Sequence, residues 1–153
     1  MTDKVTPFLW FDSNAEEAAR FYVSLFPRSA ITSASPMSVT FELDGRPFLA
    51  LNGGPRYQLS PAFSMYVSCK DQLEIDHFWS ALLSGGGEPS RCGWLVDRFG
   101  LSWQVIPEEL PQLISDPRGL RAMLEMTKID LAALRGAREV QVGSSGQSFH
   151  KST

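Results

Sequence analysis

A chain of 153 residues, 43% hydrophobic and 20% charged, is sized and composed for one soluble globular domain or two small modules sharing a core. Its 14 Lys and Arg against 17 Asp and Glu leave a net charge of −3 with no basic stripe, which argues against nucleic-acid binding. No run approaches the roughly 18 apolar residues of a membrane span, two cysteines are too few for a disulfide framework, and MTDKVTPFLWF has no secretory pattern, so a reduced, cytoplasmic protein is expected.

Thr6–Phe11 is a short aromatic-rich run that reads as a buried strand. Asn14, with Glu17 three residues on, resembles a capping box opening a helix. Ala15, Ala18, Ala19, Tyr22, Leu25 and Phe26 then recur at helical spacing opposite Glu16, Glu17 and Arg20, until Pro27 stops the run. A weak strand is expected near Ala30–Ser33. Val39–Leu43 alternates, with Val39, Phe41 and Leu43 on one face, and Phe48–Leu51 returns as its hairpin partner. Asp44-Gly45 joins them, a pair suited to a tight turn because Gly accepts positive φ and Asp bonds the turn backbone. Gly53-Gly54-Pro55 breaks the pattern, and 56–61 is a polar connector.

Ala62–Cys69 begins again as a strand, with Phe63, Met65, Val67 and Cys69 on one face and Ser64, Tyr66 and Ser68 on the other. Asp71 and Glu74 cap a second helix whose inner stripe is Ile75, Phe78, Trp79 and Leu82, and Gly85-Gly86-Gly87 ends it. Gly93–Asp97 and Leu101–Ile106 make a second hairpin around Asp97-Arg98-Phe99-Gly100. Phe21-Tyr22 and Phe78-Trp79 stand 57 positions apart, as do Asn14 and Asp71. The halves therefore read as duplicated β-α-β-β-β modules. Beyond them, Pro107 with Glu108 and Glu109 suits the first turn of a short helix to Ile114, followed by helical pieces over Arg118–Lys128 and Asp130–Arg135. The expected organisation is one domain over 1–136, with module one at 5–55, module two at 62–107 and a helical extension at 108–136. The tail, 137–153, lacks apolar periodicity and is expected to be disordered.

Three stretches carry a family resemblance: FLWFDSNAEEAARFYVSLFP (Phe8–Pro27), FELDGRPFLALNGGP (Phe41–Pro55) and GGGEPSRCGWLVDRFGLSWQVIP (Gly85–Pro107). With Ser68–Leu82 they cover most of Thr6–Pro107, and the chain resembles the vicinal oxygen chelate superfamily, which includes glyoxalase I and the bleomycin-resistance proteins. The closer likeness is to its PhnB-like branch, often labelled 3-demethylubiquinone-9 3-methyltransferase. The resemblance implies an α+β fold of two β-α-β-β-β modules whose sheets curve around a cavity, followed here by C-terminal helices, and commonly a homodimer.

Metal enzymes of that superfamily place His or Glu ligands at four inward strand positions. By alignment these fall on Pro7, Ser64, Gln104 and either Leu49 or Leu51, a set that is poor in donors for a divalent cation, so no metal and no cofactor is expected. His77 reads as a solvated helix residue, and His150 lies in the tail. Cys69 shares the parity of buried neighbours, whereas Cys92, beside Arg91 at the mouth of a hairpin, is the more open thiol. Phe11, Asn52, Ser64, Tyr66, Ser68, Cys92, Trp94 and Gln104 are the candidates for a pocket that takes a small-molecule ligand; filling of the interior is the plainer role for the same residues. Trp10, Trp79 and Trp103 are expected between sheets and helices. The glycine triplet follows a helix rather than a strand, unlike a nucleotide-binding turn. Metal-independent binding of a small molecule is thus the expected function, with an enzyme of unknown reaction (including the labelled methyl transfer) or a partner-binding module as alternatives.

Overall fold

The computed structural model describes residues 3–137. The first module runs β1 (Phe8–Phe11), α1 (Ala15–Leu25), β2 (Ala30–Ala34), β3 (Ser38–Leu43) and β4 (Arg46–Asn52). The second repeats the order with β5 (Ser64–Cys69), α2 (Gln72–Leu83), β6 (Glu88–Pro89), β7 (Trp94–Val96) and β8 (Ser102–Pro107). Each makes a four-stranded sheet in the order first–last–third–second, with β1 parallel to β4, β5 parallel to β8, and the other neighbours antiparallel. Contacts group the chain into two compact units: the first ends at Phe63 and takes in Phe99–Leu101, and the second comprises the described residues from Ser64 on without those three.

Matched backbone bonds show how far the duplication holds. Gly53 N–H donates to the Phe11 carbonyl, and Glu108 N–H donates to the Cys69 carbonyl. Cys69 lies 58 positions after Phe11, and Glu108 lies 55 after Gly53, whereas the helix starts keep the expected spacing of 57. The first strands are therefore displaced by one residue relative to their helices. Because side chains alternate, a one-residue slip exchanges the two faces of a strand.

In the first sheet the face carrying Leu9, Phe11, Val39, Phe41, Phe48 and Ala50 is buried. The helix α1 lies on it through Ala15, Ala18, Ala19 and Tyr22, spaced at i, i+3, i+4 and i+7, and the three alanines allow a close approach. Tyr22 sits 6.4 Å from the Phe41 ring, which stacks on Phe48 at 5.5 Å. Burying one such side chain contributes about 1.5–3 kcal/mol. The capping box read at Asn14 and Glu17 does not form in the expected way: Asn14 makes no side-chain cap bond. Asn52, at the end of β4, accepts from Ala15 N–H at 2.8 Å instead and donates to the Pro36 carbonyl at 3.0 Å. Asp44 and Gly45 both take positive φ, 50° and 78°, the type I′ combination that fits the twist of a two-residue hairpin.

The helix α2 covers the buried face of the second sheet with Ile75, Phe78 and Leu82. Its Asp71 cap accepts from Glu74 N–H at 2.9 Å, and Gly85 and Gly86 follow its end at positive φ. Trp103 is 1% exposed, and its indole N–H reaches the buried Asp97 carboxylate at 2.8 Å.

Beyond the sheets, Pro107 closes β8 as the ladder partner of Cys69 rather than opening a helix. Proline is tolerated at a strand end, where its missing N–H costs no ladder bond. The helix α3 (Leu110–Ile114) carries Pro111 in its first turn, α4 (Pro117–Leu124) starts on an Asp116 cap, and residues 131–137 form α5. The Gln72 side chain ties this extension to α2, donating to the Ile129 carbonyl at 3.0 Å and accepting from Leu131 N–H at 2.9 Å. The tail expected over 137–153 lies outside the described residues from 138 on.

Candidate functional site

Strand register assigns every side chain of the second sheet to a face, because ladder partners point the same way. Met65, Val67, Leu95, Trp103 and Val105 face α2. The opposite face carries three rows across the strands. Gln104 is the ladder partner of both Trp94 and Tyr66, and the three form the middle row. Glu88, Val96, Ser102 and Ser64 form the second, and Ile106 with Ser68 the third. Tyr66 is 57% exposed, Ser68 is exposed, and Trp94, Gln104 and Ser64 are half-buried. Sheet parity thus leaves an aromatic–amide–aromatic row open to solvent.

Away from Glu88 at the β6 edge, the polar groups on this face are neutral. Gln104 Nε2 donates to Ser64 Oγ at 3.0 Å. Ser102, the ladder partner of Ser64, is 1% exposed, and its buried hydroxyl has no hydrogen-bond partner among the described residues. Burial, and secondarily the neighbouring Cys69, pushes the Tyr66 phenol up, so it stays protonated at neutral pH. Cys69 itself is fully buried, and burial followed by Glu74, Asp71 and Glu108 pushes its thiol up to about 12.

Of the eight pocket candidates, Ser64, Tyr66, Ser68, Trp94 and Gln104 share this face. Phe11 and Asn52 belong to the first sheet and point to its α1 side, Phe11 being 3% exposed and Asn52 bonded to the α1 N-terminus. Cys92 stands outside the strand at φ 57°, with its N–H bonded to the Met126 carbonyl. Ser102, Val96 and Ile106 join the face without having been singled out, although period-two alternation from Gln104 and Trp94 would have found them. Trp10 also departs from expectation: it stands on the face of the first sheet away from α1, where its indole N–H donates to the Gly54 carbonyl at 2.9 Å and its ring meets Tyr57 edge-on at 5.0 Å.

The metal site implied by the resemblance does not fit these residues. Away from the helices, the first and last strands carry Phe8, Trp10, Pro47, Leu49 and Leu51 in the first sheet and Ser64, Tyr66, Ser68, Ser102, Gln104 and Ile106 in the second. None of these is His or a carboxylate, so the mismatch holds whichever register is chosen. The strand spacing pairs Tyr66 with Phe8 and Gln104 with Leu49, and gives Pro7 the parity of the helix-facing Leu9 instead of matching it to Ser64. Among the described residues, no group of three or more His, Cys, Asp or Glu is placed to hold a metal ion.

No curated protein matches the chain. Among solved structures, a PhnB protein from Bacillus cereus that carries the 3-demethylubiquinone-9 3-methyltransferase description is 32% identical, with a TM-score of 0.62 over 68% of this chain and 99% of its own. The protein PA1353 from Pseudomonas aeruginosa is 20% identical, with a TM-score of 0.56 over 70% of this chain and 98% of its own, a likeness of fold. The model of the 3-demethylubiquinone-9 3-methyltransferase family matches residues 3–106, more than half of the chain. With its paired β-α-β-β-β modules, the chain belongs to that family, the PhnB-like branch of the vicinal oxygen chelate superfamily.

Proposed function

We propose that this protein binds a small molecule on the open face of its second sheet, without a divalent cation. The observation that carries the reading is the Trp94–Gln104–Tyr66 row: two aromatic side chains flank an amide on the sheet face turned away from α2. Aromatic walls with a few fixed hydrogen-bonding groups are the common make-up of small-molecule sites. Metal independence is supported by the donor-poor strands described above. The reading has the protein act in the cytoplasm, as its sequence composition suggests, and as a homodimer, as the family resemblance implies; light scattering on the purified chain checks the dimer.

The experiment is a thermal-shift screen of a metabolite library in excess EDTA. A binder stabilises by mass action, about 2.7 kcal/mol at a hundredfold excess over Kd. The reading expects at least one ligand whose shift disappears in Gln104→Leu, and it fails if ligands act only after a divalent metal is restored. The methyl-transfer description finds no support at Gly85-Gly86-Gly87, which follows the α2 C-terminus with Gly87 N–H bonded to the Leu83 carbonyl at 2.9 Å. A calorimetric titration with S-adenosylmethionine checks it directly, and no heat is expected.

A further inference from the structure

Resting on that binding reading, we infer that the ligand is an uncharged, flat aromatic molecule with a hydrogen-bonding edge, seated between Trp94 and Tyr66 with that edge on the Gln104 amide. Neighbouring strands stand about 4.8 Å apart, so two spacings, roughly 10 Å, separate the Trp94 and Tyr66 backbones with Gln104 between them. That span admits one ring layer stacked on either side chain, an arrangement a bulky aliphatic skeleton does not match.

The amide sets the chemistry of the edge. Gln104 uses one amide hydrogen on Ser64, leaving the other and its carbonyl oxygen to meet a neighbouring donor and acceptor. Ser102, in register with Ser64 one strand away, has a buried hydroxyl with no hydrogen-bond partner among the described residues. Formal charge is missing from the row: tryptophan, glutamine and a phenol, which is protonated at neutral pH and shifted only upward. The carboxylate on this face, Glu88, stands at the exposed β6 edge in register with Val96, two strands from Gln104, where solvent screens it.

The test is calorimetry with five probes of similar size: 2-quinolinone and 2-naphthol, which are neutral and flat, decahydroquinolin-2-one, quinoline-2-carboxylate and 1-methylquinolinium. A neutral flat probe is expected to bind at least tenfold tighter than the saturated, anionic and cationic ones. Trp94→Leu and Gln104→Leu should each weaken it about tenfold while leaving the circular-dichroism melt unchanged. A saturated or charged probe binding as tightly as the neutral pair, or neutral binding indifferent to both variants, overturns the inference. The library screen separates this failure from that of the binding reading: charged or aliphatic hits lost in Gln104→Leu refute the ligand class alone, and no hit of any class refutes both.

Discussion

Replacing Asn52 with alanine tests whether this residue belongs to the ligand site or to the fold. Its Oδ1 accepts from Ala15 N–H at 2.8 Å, and its Nδ2 donates to the Pro36 carbonyl at 3.0 Å. The first contact does the work of an N-cap, worth about 0.5–2 kcal/mol, and the second is an exposed hydrogen bond worth about 0.5–1.5 kcal/mol. Their joint loss is about 2 kcal/mol, which for a chain of this length lowers Tm by roughly 4–8 °C. Asn14→Ala removes no side-chain cap bond and should cost under about 0.5 kcal/mol. Asn52→Asp keeps the acceptor and loses the donor, so it should fall between. Urea unfolding gives all three values, and ligand binding should survive each. A larger loss from Asn14→Ala than from Asn52→Ala would refute this account of how α1 is started, and loss of ligand in a folded Asn52→Ala would return Asn52 to the site.

Three further predictions follow, one from packing and two from thiol burial. At Gly53 an added Cβ would run into the Trp10 indole, which is itself held by its bond to the Gly54 carbonyl, so Gly53→Ala should cost about 1–3 kcal/mol in urea; a neutral or stabilising change would contradict the packing. Cys92 should react with a thiol reagent in the native protein while Cys69 stays blocked until unfolding, read by mass after digestion. The same burial sets a pH dependence. Above the ordinary thiol value of 9.0 the unfolded chain releases the Cys69 proton, while the native chain holds it to about 12, so stability falls with rising pH across that window. Cys69→Ala should flatten the alkaline limb, and an unchanged slope would contradict the assignment.

The duplicated modules were legible because each half repeats the same physical cues: an alanine- or aromatic-striped helix, a capped start and a Gly-bearing hairpin turn. The shared face of Ser64, Tyr66 and Ser68 was legible from period-two alternation against Met65, Val67 and Cys69, of which Cys69 is fully buried. What the sequence concealed was the one-residue offset between first strands and helices. A spacing of 57 read from the helices and carried into the strands misaligns β1 by one position, and in a period-two element one position is a change of face. Phe11 was placed among pocket residues, and Trp10 between sheet and helix, although their parities are the reverse. Asn52 as a helix cap was hidden for a different reason: it reaches α1 from 37 residues away, and local capping rules see only neighbours. The short β6 (Glu88–Pro89) leaves almost no pattern, being two residues long.

The most direct measurement of the central claim is fluorine NMR of the protein labelled with 5-fluorotryptophan, titrated in EDTA with the strongest hit from the screen. Four tryptophans give four resonances, each assigned by a Trp→Phe variant. The account predicts a saturable 1:1 shift of the Trp94 resonance, with the buried Trp103 and the first-sheet Trp10 still. A shift confined to Trp10 or Trp79, or one that develops only when a divalent metal is added, would contradict it.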